Sequence, residues 1–115
     1  MKKILIAEDD STMLSLLCTL LELEGFLPIA YNENEEIVET VRREMPDIVL
    51  LDIHMDFQDG IEVTKQIKND PNLSSIFVVL QSGMELGVQS VNAGANAFLL
   101  KPYMPESLFD ILKSV

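Results

Sequence analysis

The run Ile48-Val49-Leu50-Leu51-Asp52-Ile53-His54-Met55-Asp56 (IVLLDIHMD) decides how the 115-residue chain is read. Four consecutive apolar residues lead straight into an aspartate. An uninterrupted apolar run of this length fits a strand covered on both faces, as in a parallel sheet, rather than an alternating strand with one wet face. Desolvation disfavours a charged carboxylate inside such a strand. Asp52 therefore belongs at the strand's end, facing the mouth of a pocket.

Strand-like and helix-like segments alternate on either side of this run. Lys3 to Ala7 (KILIA) is a short apolar strand that ends at Glu8-Asp9-Asp10. A helix from about Thr12 to Glu24 follows, capped by Asp10 or Ser11, with Asp10 favoured, and ended by Gly25. Phe26 to Tyr31 (FLPIAY) reads as a strand whose Pro28 places it at a sheet edge, because proline cannot donate to a ladder. Asn32 is the expected cap of a second helix carrying Ile37, Val38 and Val41, which Met45-Pro46 ends.

After the strand Asp47 to Asp52, a loop through Gly60 leads to a helix with Ile61, Val63, Thr64 and Ile67 inward. Asn69-Asp70-Pro71-Asn72 is a turn. Ser75 to Leu80 is expected as the fourth strand, Glu85 to Asn92 as a short helix, and Ala97 to Leu100 as the fifth strand. A last helix begins near Pro105, a residue favoured in a first turn. The pattern is (βα)5: a doubly wound, parallel five-stranded α/β sheet with helices on both faces, in one domain spanning residues 1–115.

Composition narrows the partners. Nineteen acidic against eight basic residues give a formal net charge of -11. That balance repels nucleic-acid phosphates and anionic membranes, so neither is expected to bind directly. No apolar run approaches membrane-spanning length, and Ile4-Leu5-Ile6-Ala7 is too short for a secretory signal. The single cysteine, Cys18, forms no intrachain disulfide and reads as a small buried core residue. A cytoplasmic location is the expectation.

Ligands in open parallel sheets sit beyond the carboxyl ends of the strands. At that edge the first strand places Glu8, Asp9 and Asp10, the third Asp52, the fourth Ser82 and the fifth Lys101. Several acids in one pocket repel one another, and a hard cation relieves this. Mg2+ prefers oxygen ligands and often takes only one or two protein carboxylates. A hydroxyl and an ammonium suit phosphoryl oxygens, and an aspartate beside a metal is a known nucleophile in phosphoryl transfer. The set points to phosphoryl transfer onto Asp52.

These motifs resemble, over the whole chain, the response-regulator receiver domains of two-component signalling. The resemblance rests on Ile4-Leu5-Ile6-Ala7-Glu8-Asp9-Asp10, Leu50-Leu51-Asp52 with Gly60, Leu80-Gln81-Ser82-Gly83, Ala93-Gly94-Ala95 and Lys101-Pro102, in that order. It implies a flavodoxin-like strand order 2-1-3-4-5. It also implies Asp52 as phosphoacceptor, with Mg2+ held by Asp9, Asp52 and the backbone carbonyl of His54, and Glu8 acting through a metal-bound water. Ser82 and Lys101 would bind the phosphoryl group, and Ser82 with Phe98 would form the switch.

The implied function is a signalling switch rather than a conventional enzyme, catalysing only its own phosphorylation and dephosphorylation. Its implied partners are a sensor histidine kinase or phosphotransfer protein and a downstream output protein or domain. The implied state is a monomer or a phosphorylation-dependent homodimer, acting as a stand-alone regulator or an isolated module. Two departures stand out. Asp56 occupies a position where the family often has proline, and the segment from Ser82 to Lys101 is about three residues short, pointing to a trimmed loop or fourth helix.

A pure interaction module of this fold would lack the acceptor, the acid pair or the lysine, and all are present. An aspartyl phosphohydrolase would want a second aspartate two residues after Asp52, where His54 stands. A flavodoxin would want a Ser/Thr- and Gly-rich loop after the first strand, where three acids stand instead.

Overall fold

The computed structural model describes residues 1–115. Five parallel strands run β1 (Lys3–Ala7), β2 (Leu27–Ala30), β3 (Ile48–Asp52), β4 (Phe77–Ser82) and β5 (Ala97–Leu100). Their order across the sheet is β2-β1-β3-β4-β5. Between and after them lie α1 (Ser11–Leu23), α2 (Ile37–Glu44), α3 (Gly60–Asn69), α4 (Gly87–Asn92) and α5 (Pro105–Leu112). The flavodoxin-like arrangement expected from the sequence is the one observed. Pro28 lies in β2, an edge strand, where its missing N–H is harmless.

Both faces of the sheet are covered, which is why its strands read as continuous apolar runs. Ile4, Ile6, Ile48, Leu50, Val79 and Leu99 face α1 and α5, packing on Leu17, Leu21, Leu108 and Leu112. Leu5, Ala7, Val49, Leu51, Val78 and Leu80 face the other way, onto Ile37, Val38 and Val41 of α2 and Val63 and Ile67 of α3. The strands β3 and β4 are buried except at the first residue of β4. Every buried side-chain nitrogen or oxygen has a hydrogen-bond partner.

Local chemistry fixes the helix ends. The Asp10 carboxylate accepts from the N–H groups of Thr12 and Met13, at 2.9 and 3.1 Å, so Asp10 is the cap and Ser11 the first helical residue. Asn32 is not the cap of α2. Its side chain accepts from Asn34 N–H in a local turn, and the helix starts five residues later at Ile37, whose N–H donates to the Gln58 side chain.

The fourth strand also differs from expectation, running two residues further along the chain and so taking in Gln81 and Ser82. Register explains the shift: Asp52 of β3 pairs with Gln81, and Ser82 with Leu100 of β5. Helix α4 is six residues long and has no side-chain cap, in keeping with the short segment between Ser82 and Lys101. Cys18 is half-buried rather than buried, on the side of α1 flanking the core. No helix is long and apolar enough to cross a membrane.

Candidate functional site

The carboxyl ends of β1, β3, β4 and β5 open into a cleft of about 220 Å³ with no hydrophobic lining residue. Glu8, Asp9 and Asp10 enter it from the end of β1, Asp52 and His54 from β3, Gln81, Ser82 and Gly83 from β4, and Lys101 from β5. Every site residue expected from the sequence is therefore brought together here, except Phe98.

Asp52 is the last residue of a fully buried strand and is itself buried. Its position depends on Gly60 at the start of α3. Gly60 N–H donates to the carbonyl of Ile53 at 2.8 Å. A Cβ on Gly60 would lie 2.6 Å from the Asp52 carbonyl oxygen and 2.7 Å from Ile53 Cα. Only glycine lets the helix approach the strand end this closely.

The Asp52 carboxylate is held by three donors. Oδ1 receives Lys101 Nζ and Gln81 Nε2, each at 2.8 Å, and Oδ2 receives Asp9 N–H at 3.1 Å. Beside it the buried Glu8 carboxylate binds Lys101 Nζ at 2.9 Å, Gln81 Nε2 at 3.1 Å and Asp10 N–H at 3.1 Å. Burial pushes the Glu8 carboxyl up from its ordinary range, and the neighbouring Asp52 pushes it further against the pull of Lys101. Burial alone would weaken the Lys101 charge, but the two carboxylates outweigh it and hold the ammonium more firmly protonated than usual.

Asp9 projects into solvent at the cleft mouth. Partial burial, then the charges of Asp52, Asp56 and Glu33, raise its carboxyl too. Clustered acids of this kind favour a cation. No three histidine, cysteine or acidic side chains converge closely enough to cage a metal unaided. A hard ion that keeps part of its water shell needs fewer, and Mg2+ ordinarily takes one or two carboxylates. Asp9 and Asp52, in the cleft that His54 also lines, fit such an ion. Glu8 fits a place behind it, because its side chain lies deeper, 1% exposed against 7% for Asp52.

His54 is exposed at the rim, where its backbone bridges to Asp59. Ser82 is buried and its Oγ accepts from Met84 N–H at 3.0 Å, a bond that does not use its hydroxyl proton. Phe98 lies outside the cleft, in register with Leu80 and half-buried against the core on the α2–α3 side of the sheet.

Two residues escaped the sequence reading. Gln81 is fully buried and bridges Glu8 and Asp52, and Tyr103 donates its hydroxyl to the Gln81 side-chain oxygen at 2.5 Å. The available signal was the polar Gln81 directly following Phe77-Val78-Val79-Leu80, in a stretch otherwise continuous with the strand.

An open parallel sheet whose strand ends gather buried carboxylates around one lysine, above a glycine-tightened helix start, defines a receiver-type signalling domain. The response regulator receiver domain family matches residues 4–113, and the chain belongs to that family. The chemotaxis protein CheY of Halobacterium salinarum is 32% identical over 115 residues, covering 99% of this chain and 96% of that protein. The alkaline phosphatase synthesis transcriptional regulatory protein PhoP of Bacillus subtilis is 30% identical over 115 residues, covering 99% of this chain and 48% of that protein. The chain spans about half the length of the first curated relatives it matches. Among solved structures, the signal receiver domain of a DNA binding response regulator from Colwellia psychrerythraea superposes with a TM-score of 0.90 at 25% identity, covering 99% of this chain and 97% of that one.

Proposed function

We propose that residues 1–115 form one receiver domain that accepts a phosphoryl group onto Asp52, from a phosphohistidine on a sensor histidine kinase or phosphotransfer protein. The observation that carries this reading is the Asp52 carboxylate itself, buried at a strand end, with Lys101 at 2.8 Å and a cleft open above it. An Asp52 oxygen attacks phosphorus, the phosphorus–nitrogen bond breaks, and the imidazole leaves as the neutral ring after taking a proton from solvent. Lys101 turns from Asp52 toward the phosphoryl oxygens, and Ser82 donates its hydroxyl to one of them. Hydrolysis returns the carboxylate and inorganic phosphate, so the only catalysis is on the domain's own phosphoryl group.

Asp9, Asp52 and the His54 carbonyl would hold Mg2+, with Glu8 behind through water. When bound, the ion supplies positive charge that offsets the carboxylates and the incoming phosphoryl oxygens. The Ser82 hydroxyl, drawn toward the phosphoryl group, leaves room for Phe98 to change rotamer, which alters the surface of α4, β5 and α5. That surface would meet a downstream output protein or domain, with the receiver acting as a monomer or a phosphorylation-dependent homodimer in the cytoplasm, without direct contact to nucleic acid or membrane.

The phosphoryl mimic beryllofluoride tests the switch. With Mg2+ present it should move the backbone amide resonances of Asp52, Ser82, Lys101 and the α4–β5 segment in wild type. In Asp52→Asn it should move none of them. Equal shifts in both proteins would remove Asp52 from its role.

A further inference from the structure

Gln81 has no part in the chemistry just described, yet it is the most completely enclosed polar side chain of the cleft. It sits on β4 in register with Asp52, between β3 and β5, with no exposed surface. Its neighbours along the strand, Val78, Val79 and Leu80, are apolar, and an apolar residue at 81 would continue the run and fill the same space. Packing does not ask for an amide. The hydrogen bonds do: Nε2 donates to Asp52 Oδ1 at 2.8 Å and to Glu8 Oε1 at 3.1 Å, and Oε1 accepts from Tyr103.

The orientation of this amide is fixed from both ends. Turned over, its carbonyl would face two carboxylates and its NH2 would face a hydroxyl. Tyr103 is a dependable donor, since burial and the charges of Glu8 and Asp52 disfavour its ionisation. Tyr103 lies just past Lys101-Pro102, between β5 and α5, so the chain Asp52–Gln81–Tyr103 runs to the side of the sheet opposite Phe98.

We propose that Gln81, oriented by Tyr103, is a positioning residue for Asp52: it holds Oδ1 so that the other carboxylate oxygen faces the cleft, and it transmits the loss of carboxylate charge on Oδ1 to Tyr103. This rests on Asp52 being the phosphoacceptor. Lys101 shares Oδ1 with Gln81 but must turn to the phosphoryl group during transfer. Gln81 is then the side chain that keeps the carboxylate from following it. Once the other oxygen is esterified, Oδ1 becomes the carbonyl oxygen of an acyl phosphate, a poorer hydrogen-bond acceptor than a carboxylate oxygen, and the Gln81 amide and Tyr103 hydroxyl relax together.

The test compares wild type, Gln81→Met, Tyr103→Phe and the double variant. Phosphoryl incorporation from acetyl phosphate with Mg2+ is timed by intact mass, and urea midpoints check folding. Gln81→Met should incorporate phosphoryl about tenfold more slowly, the scale of one hydrogen bond to a charged group. Tyr103→Phe should be slower by about threefold, and the double variant no slower than Gln81→Met, because Tyr103 acts only through Gln81.

A second readout needs neither metal nor donor. The chain has no tryptophan and two tyrosines, so in a Tyr31→Phe background near-ultraviolet absorbance reports Tyr103 alone. Gln81→Met should shift that band. Equal incorporation rates in wild type and Tyr103→Phe overturn the proposal even if Gln81→Met fails to fold. Independent slowing in the double variant, or an unmoved Tyr103 band, overturns it too. Absence of any phosphoryl mass in wild type overturns instead the acceptor reading beneath it.

Discussion

Replacing Lys101 by methionine keeps most of its stem and deletes the cation that faces both Glu8 and Asp52. Those side chains are 1% and 7% exposed, and Lys101 itself 28%, so solvent screens them little. Removing one partner of a buried ion pair ordinarily costs about 3–5 kcal/mol, because the other charge is left uncompensated. Here the protein has an escape. Glu8, already pushed up by burial and by Asp52, can take a proton and leave Asp52 with the Gln81 and Asp9 donors. Protonation from an ordinary value of 4.5 costs about 1.36 kcal/mol per pH unit, which caps the uncompensated-charge part of the loss near about 3.4 kcal/mol at pH 7 and about 1.4 kcal/mol at pH 5.5.

The sign follows from where the proton sits. In the folded variant Glu8 keeps a proton that the unfolded chain gives up above its ordinary value. Stability is therefore fully present below that value and is lost as pH rises toward neutrality. Urea unfolding followed by far-ultraviolet circular dichroism, in the presence of a chelator, measures the gap between wild type and Lys101→Met. The uncompensated-charge part of that gap should be at most about 3 kcal/mol at pH 7 and smaller at pH 5.5. A gap of the same size at both pH values would contradict the shared Glu8–Asp52–Lys101 cluster, as would no gap at all.

Gly60→Ala should destabilise the protein by about 1–3 kcal/mol, since its methyl meets backbone rather than a yielding side chain, and a chemical melt reads this directly. Asp9→Asn should raise the melting temperature of the metal-free protein at neutral pH, because it removes a carboxylate repelled by Asp52, Asp56 and Glu33. The same change should weaken Mg2+ binding in a calorimetric titration, and equal affinity would take Asp9 out of the metal site. Ser82→Ala should still accept phosphoryl, more slowly, and lose most of the beryllofluoride-induced shifts around Phe98. Its hydroxyl supplies one charge-assisted bond of about 1.5–3 kcal/mol, enough to move a two-state equilibrium by roughly one to two decades. Undiminished shifts in Ser82→Ala would mean that the switch does not run through Ser82.

The sheet was legible because two-sided burial leaves a direct trace in sequence: ILIA, IVLL and FVVL are apolar without alternation, and each stops where the cleft begins. The acids and the lysine were legible because a charge that ends such a run must reach water or an opposite charge, and the strand ends are where both are found. Helix starts were less so. Asp10 and Ser11 are both good caps and only geometry chooses between them, while the start of α2 is set by Gln58, a residue 21 positions away in the chain. Gln81 was hidden for a similar reason. Its partners Glu8 and Asp52 lie 73 and 29 positions away, and nothing local marks a neutral amide as belonging to a charged cleft. Register across β3 and β4 makes that connection.

Incubation with acetyl phosphate and Mg2+, followed by intact-mass measurement of wild type and Asp52→Asn, puts the acceptor assignment to the test. Wild type should gain the mass of one phosphoryl group, lose it again on standing, and gain nothing when the metal is chelated. Asp52→Asn should gain nothing under any of these conditions. An equal phosphoryl gain in Asp52→Asn, or none in folded wild type, would contradict the assignment of Asp52 as the phosphoacceptor.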